Sequence, residues 1–173
     1  MKDHEPQPHL RTIEEIASIA KENLRRDGFH IPTIIAQGSR TTVAFQFTEF
    51  GRTPQARRQH LYQAGILVGQ EGAVGILWQV FYVGEGWMSR SETDKAPDQL
   101  PSQDPQRKEI LFVAHGDVRG LEFKDDMRIW EMVRNSAGKL VDFVAFDHET
   151  NIVESSLVDF VAGYAIGLLK GPN

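Results

Sequence analysis

Four apolar segments follow one another between residues 76 and 146, and no amphipathic segment of helix length separates them. We predict a strand from each segment, and these strands span residues 76–88, 109–114, 127–134 and 140–146. Short turns join the last three strands, which is typical of antiparallel neighbours. The first strand is apolar on both faces, which favours a central position in the sheet. The uninterrupted run of strands excludes the βαβ alternation of a doubly wound sheet.

The remaining pattern predicts three helices and a hairpin. Thr12 and Glu15 have the spacing of a capping box, and Gly28 supplies the left-handed position that ends the first helix. The other predicted elements are strands over residues 33–36 and 41–48, a helix that begins after Thr53, and a helix over residues 153–169.

The resulting order, α-β-β-α-β-β-β-β-α, predicts the α+β class. We expect a single domain over residues 11–173, with a mostly antiparallel sheet of five to six strands and helices on one face. Residues 1–10 are polar, and we expect them to form a disordered leader.

The composition excludes several classes of function. The net charge is −5, and basic residues cluster only in pairs, whereas a nucleic-acid-binding protein requires a basic patch. The chain has no cysteine, so it lacks disulfides, thiolate nucleophiles and sulfur metal ligands. Its longest apolar stretch, residues 157–169, is shorter than the ~20 residues that a membrane span requires. We therefore expect a cytoplasmic protein that binds neither nucleic acid nor membranes.

Two polar triplets end two of the predicted strands. His115-Gly-Asp117 and Asp147-His148-Glu149 would lie at one edge of a meander, two strand spacings or ~10 Å apart. Imidazoles and carboxylates bind Zn²⁺, Mn²⁺ or Fe²⁺, so His115, Asp117, Asp147 and His148 are a candidate metal site. They could also place a general base beside an oriented water. Alternatively, these residues are polar turn residues that cap strand ends.

Glu85 is the best single candidate for a carboxylate with unusual chemistry. It lies between Gly84 and Gly86, and an apolar surround would raise the pKa of its carboxyl group. The interpretation that we favour is simpler, an ion pair between Glu85 and an arginine. The segment does not predict dinucleotide binding, because Ser89 stands where the third glycine would be and no helix follows. We expect no cofactor.

Gly163 and Gly167 are four residues apart in the last predicted helix. This spacing allows a second helix to approach closely. Two interpretations are open: tight packing within the chain, or the seam of a homo-oligomer.

A polar segment of about 18 residues joins the first two strands of the run. Loops of this length in compact domains are usually functional or disordered. Around this segment, Glu85-x-Trp87-Met and Pro-Ser-x-Asp104-Pro-x-Arg107-Lys-Glu109 resemble a family of uncharacterised bacterial proteins. That family has a Ser-Glu-Ala-Trp-Met segment and then a Pro-Ser-x-Asp-Pro-x-Arg-x-Glu block; here glycines replace the flanking serine and alanine.

The resemblance covers about 30 residues and implies no activity. It suggests that Glu85, Trp87, Asp104, Arg107 and Glu109 form one unit that pins the loop over the sheet or contacts a partner. In that unit, Arg107 would bridge Glu85 or Asp104 through a bidentate fork.

Two functional hypotheses follow. The favoured hypothesis is a non-enzymatic α+β domain that binds a protein partner or associates with itself, using the Gly163/Gly167 seam or Trp87. The alternative is a small metal-dependent hydrolase that uses His115, Asp117, Asp147 and His148 at one sheet edge.

Overall fold

The computed structural model describes residues 9–88, 105–120, 122–146 and 157–172. The helices are α1 (Ile13–Asp27), α2 (Pro54–Glu71) and α3 (Leu157–Lys170). The strands are β1 (Thr33–Gly38), β2 (Thr42–Gln46), β3 (Leu77–Met88), β4 (Lys108–Asp117), β5 (Lys124–Arg134) and β6 (Leu140–Ala145). The predicted element order and the α+β class are confirmed. None of the helices in these ranges has the length and apolar character that crossing a membrane requires.

The six strands form one antiparallel sheet in the order β2-β1-β3-β4-β5-β6. β3 lies inside the sheet between β1 and β4, as its two apolar faces predicted. β4 is longer than predicted, because Gly116 and Asp117 continue the ladder by pairing with Val80 and Gln79 of β3. His115 therefore lies within a strand and not at its end.

Helices cover both faces of the sheet, and the prediction of helices on one face is wrong in this respect. Successive residues of a strand point to opposite faces. Val80 and Tyr82 of β3 pack in the cluster that contains α2 and α3, whereas Phe81 and Val83 pack in the cluster that contains α1. The continuous apolar run of β3 is the reason, because both of its faces have to be buried. We call the two sides the α1 face and the α2–α3 face.

Four glycines bring α2 and α3 into backbone contact. Gly65 and Gly69 of α2 meet Gly163 and Gly167 of α3, and a Cβ atom at any of them would overlap main-chain atoms of the facing helix. The interpretation of Gly163 and Gly167 as tight packing within the chain is confirmed. They are therefore not available as the seam of an oligomer.

The chain before α1 is held by two buried glutamines. The Nε2 atom of Gln37 donates a hydrogen bond to the main-chain oxygen of His9 at 2.5 Å, and the main-chain N–H of Arg11 donates to Gln37 Oε1 at 3.1 Å. The predicted disordered leader lies outside the described residues except for residues 9 and 10. The main chain of His9 is thus hydrogen-bonded to β1. The predicted capping box of Thr12 and Glu15 is present.

Candidate functional site

β3 and β4 place three of the predicted site residues at one end of the α1 face. Trp87 pairs with Glu109 across the two strands, and Glu85 pairs with Leu111. Residues two apart on a strand point to the same side, so the side chains of Glu85, Trp87 and Glu109 share one face. Leu111 belongs to the core beneath α1, which identifies that face.

The carboxylate of Glu85 is half-buried and holds the segment that follows α1. Its Oε1 atom accepts a hydrogen bond from the main-chain N–H of His30. Burial raises the pKa of the Glu85 carboxyl group and the nearby charge of Glu109 adds to the increase, whereas the His30 N–H and Arg134 oppose it. The pKa of Glu85 is thus shifted in the direction that an apolar surround predicts. The contact with His30 gives Glu85 a structural task, which is to fix the chain where it leaves α1.

Among the described residues, the ion pair with an arginine is formed by Glu109 and not by Glu85. The guanidinium group of Arg134 binds it in a bidentate fork, with Nε to Oε2 at 2.6 Å and Nη2 to Oε1 at 2.8 Å. Arg134 is on β5, and no pattern in the sequence linked it to this cluster. The two-point geometry fixes the end of β5 against β4.

Trp87 and Arg107 form the outer part of this cluster. The Arg107 guanidinium lies over the Trp87 ring, 4.5 Å from its centroid, and 46% of the Trp87 surface is exposed. Asp104 lies outside the described residues, as does most of the polar segment after β3. The structure thus brings Glu85, Trp87, Arg107 and Glu109 together. Their role in pinning the loop or contacting a partner stays a prediction.

His115 is part of the glutamine network on the α1 face. Gln79 Nε2 donates to the main-chain oxygen of Arg11 at 3.0 Å and to Gln37 Oε1 at 2.8 Å. Gln79 Oε1 therefore faces His115 Nε2, 3.0 Å away, as an acceptor, and the proton of the neutral imidazole is on Nε2. Burial lowers the pKa of His115, and its ring stacks on Phe81 with centroids 4.7 Å apart. Only Nδ1 is left for a metal ion.

Asp117 is engaged by a neighbouring arginine. The guanidinium group of Arg119 donates to both carboxylate oxygens, at 3.0 and 2.5 Å, and the Arg119 main-chain N–H donates at 3.0 Å. These hydrogen bonds hold the pKa of Asp117 at about 2. Asp117 and Arg119 also line a surface pocket of about 270 Å³ with Gly120, Glu122 and Lys124. The pocket is lined by two acidic and two basic residues, which favours no ligand of one charge.

The end of β6 is not level with His115. Ala145 pairs with Trp130, which pairs with Leu111, so the described end of β6 lies four residues before His115 along β4. At about 3.3 Å per residue, the offset between Ala145 and His115 along the strand direction is roughly 13 Å. The other two predicted ligands, Asp147 and His148, lie outside the described residues. Among the residues that the structure describes, no group of three or more could hold a metal ion. The metal-site hypothesis stays a prediction.

The largest feature that sequence reasoning missed is the outward face of α3. Four apolar residues at intervals of four, three and four positions lie on one side of this helix and are exposed: Val158, Ala162, Ala165 and Leu169. We call these four residues the outer α3 stripe. Exposure reaches 52% at Val158 and 84% at Leu169. The sequence contained one signal for this face, since α3 is apolar on nearly all of its sides. A helix with this composition is typically buried on every side, so an exposed side needs a partner.

The surface beside the stripe carries little charge. The exposed and partly exposed residues of α2 include the uncharged Gln59, Gln63, Ile66, Leu67 and Gln70 and, towards the ends of the helix, the charged Arg57, Arg58 and Glu71. Charged groups occur at the borders, where Arg58 of α2 binds Asp159 of α3 at 2.8 Å. A continuous apolar face whose rim is polar, with charges at its ends, is typical of a protein–protein contact.

Comparison of the chain with protein-family models, with curated proteins and with solved structures finds no match. The function has to be inferred from the surface of the molecule itself.

Proposed function

We propose that this chain is a non-enzymatic domain that associates with a second copy of itself through the outer α3 stripe. The observation that carries the proposal is the exposure of a whole apolar helix face. Leu169 is 84% exposed and Val158 is 52% exposed. Isolated exposed apolar side chains are common on monomers, but a contiguous stripe along one helix marks an interaction surface.

The stripe lies on a part of the molecule that is rigid enough to serve as an interface. The glycine contacts fix α3 against α2, and Phe160 and Tyr164 anchor its inner side in the core. Tyr164 also donates a hydrogen bond from its hydroxyl group to the main-chain oxygen of Gly75 at 2.6 Å. A helix held on two sides presents its outer face without an ordering cost, which favours association.

The strength of the contact follows from its size. Full burial of a valine or leucine side chain contributes roughly 1.5–3 kcal/mol, and two copies supply two of each. The four side chains together supply roughly 6–12 kcal/mol, and association costs about 4–15 kcal/mol in lost freedom of motion, so a roughly micromolar dimer is the tightest that this contact supports.

The test is the molar mass of wild-type and variant proteins, measured by size-exclusion chromatography with light scattering. Leu169→Glu places a charge in the contact and leaves the core untouched, so we expect it to convert the dimer to monomer. Phe29→Glu is the matched control, because Phe29 is 60% exposed and follows α1 on the other side of the sheet. We expect this control to dimerise as wild type does. A wild-type dimer that Leu169→Glu leaves intact would contradict the use of this surface.

A further inference from the structure

The outer α3 stripe has the same pattern when it is followed from either end. Val158 and Leu169 are bulky and stand at its ends, and each lies four positions from the alanine next to it. Ala162 and Ala165 lie in the middle, three positions apart. A two-fold interface brings one surface patch against itself, so it requires this kind of self-complementary pattern.

We infer that two copies of the chain pair through antiparallel α3 helices, with the two-fold axis passing between Ala162 and Ala165. This inference rests on the proposed function and adds the arrangement of the partner. Val158 of one copy then packs against Leu169 of the other at both ends of the contact. Ala162 packs against Ala165 of the second copy in the middle, where small side chains allow the helix axes to approach closely.

The charges at the ends of α3 favour the antiparallel direction. Asp159 is in the first turn, beside Arg58, and Lys170 is in the last turn. Antiparallel pairing places Lys170 on the same side of the contact as Asp159 of the second copy, whereas parallel pairing would place these two residues on opposite sides and at opposite ends of the contact. Antiparallel helices also oppose their macrodipoles, which is the favourable arrangement. An exposed ion pair contributes little free energy, so its effect is on the direction of pairing more than on affinity.

Disulfide cross-linking tests this arrangement directly, because the chain has no cysteine of its own. The single variants Val158→Cys and Leu169→Cys each introduce a thiol at an exposed position. One of the two variants carries a size tag, so that the heterodimer and the two homodimers differ in mass. Helices that pack closely bring facing Cα atoms to within the roughly 4.4–6.8 Å that a disulfide spans. We expect the mixed sample to form the disulfide-linked heterodimer of the two variants at least tenfold faster than either variant forms a homodimer. A mixture with Phe29→Cys is the control for random collision.

The outcomes separate this inference from the proposed function. Preferred Val158→Cys homodimers would show parallel pairing and overturn the antiparallel arrangement, while self-association through the stripe would still stand. Equal rates for all combinations, including the Phe29→Cys control, would overturn the arrangement as well. Light scattering on the wild-type protein completes the test, because a monomeric mass at all concentrations would overturn the proposed function together with this inference.

Discussion

Glu85 is a residue whose unusual pKa was predictable and whose partners were not. Its glycine neighbours and the nearby tryptophan indicated an apolar surround, and burial indeed raises its pKa. The hydrogen bond to the His30 main chain joins positions 55 residues apart, and the fork between Glu109 and Arg134 joins two strands. Contacts at such distances depend on the strand register, which local sequence patterns do not define.

The pKa shift of Glu85 predicts how the stability of the protein depends on pH. A carboxyl group with a raised pKa in the folded state favours folding below its ordinary value, near 4.5, and this contribution is lost as the pH rises through the folded-state pKa. Glu85→Gln keeps the acceptor for the His30 N–H and removes the ionisation. We expect its stability relative to wild type to increase from pH 4 to pH 7.5, as measured by urea unfolding at each pH. A constant difference between the two proteins across this range would contradict the shift.

Gln79 is the centre of a buried network that the sequence did not reveal. It is 3% exposed and hydrogen-bonds Arg11, Gln37 and His115 at once. Its position in the apolar run of β3 gave no sign of partners on β1, on β4 and in the segment before α1.

We expect Gln79→Leu to lower the free energy of unfolding by about 2–3 kcal/mol, because the substitution leaves buried polar partners without a hydrogen bond. Urea unfolding at pH 7 measures this loss. Gln46→Leu, at an exposed position of β2, serves as the control and is expected to change stability by no more than about 0.5 kcal/mol. Equal stability of the two variants would show that the network contributes nothing.

At the scale of elements, the periodic patterns predicted the type and order of every described helix and strand. The capping box of α1 and the run of strands from β3 to β6 depend on local sequence patterns, and both are present in the structure. The placement of helices on both faces was also encoded, since β3 and β4 are apolar on both sides. The stagger of β6 was not, because it depends on pairing and on the register shift next to Val133 and Arg134.

The packing of α2 against α3 predicts a substitution effect opposite to helix propensity. Alanine is about 1 kcal/mol more favourable than glycine within a helix, so Gly163→Ala would stabilise an unconstrained helix. Here the added methyl group overlaps the main chain at Tyr62, and we expect a net loss of about 2 kcal/mol or more in the free energy of unfolding. Thermal and urea unfolding measure the change. A gain in stability would mean that α2 and α3 are not in backbone contact at this position.

At the scale of the whole molecule, the helices on the two faces of the sheet expose different kinds of side chain to solvent. α1 and its neighbours form an amphipathic cover with a charged outer side, since Glu14, Glu22 and Arg25 are exposed or partly exposed. The outer side of α3 is apolar. The sequence contained this difference in the near absence of charge from α3. The sequence alone does not define which residues of α3 are covered by α2 and the sheet and which are exposed, because this depends on the packing of the helices.

Self-association through the outer α3 stripe is the central claim, and the mass of the untreated wild-type protein tests it most directly. Sedimentation equilibrium from about 1 µM to about 1 mM begins at the tightest affinity that this contact supports and extends to a dimer about a thousandfold weaker. The account predicts that the mass rises with concentration from the 19.5 kDa of one chain towards twice that value. A mass that stays at 19.5 kDa over the whole range would contradict it.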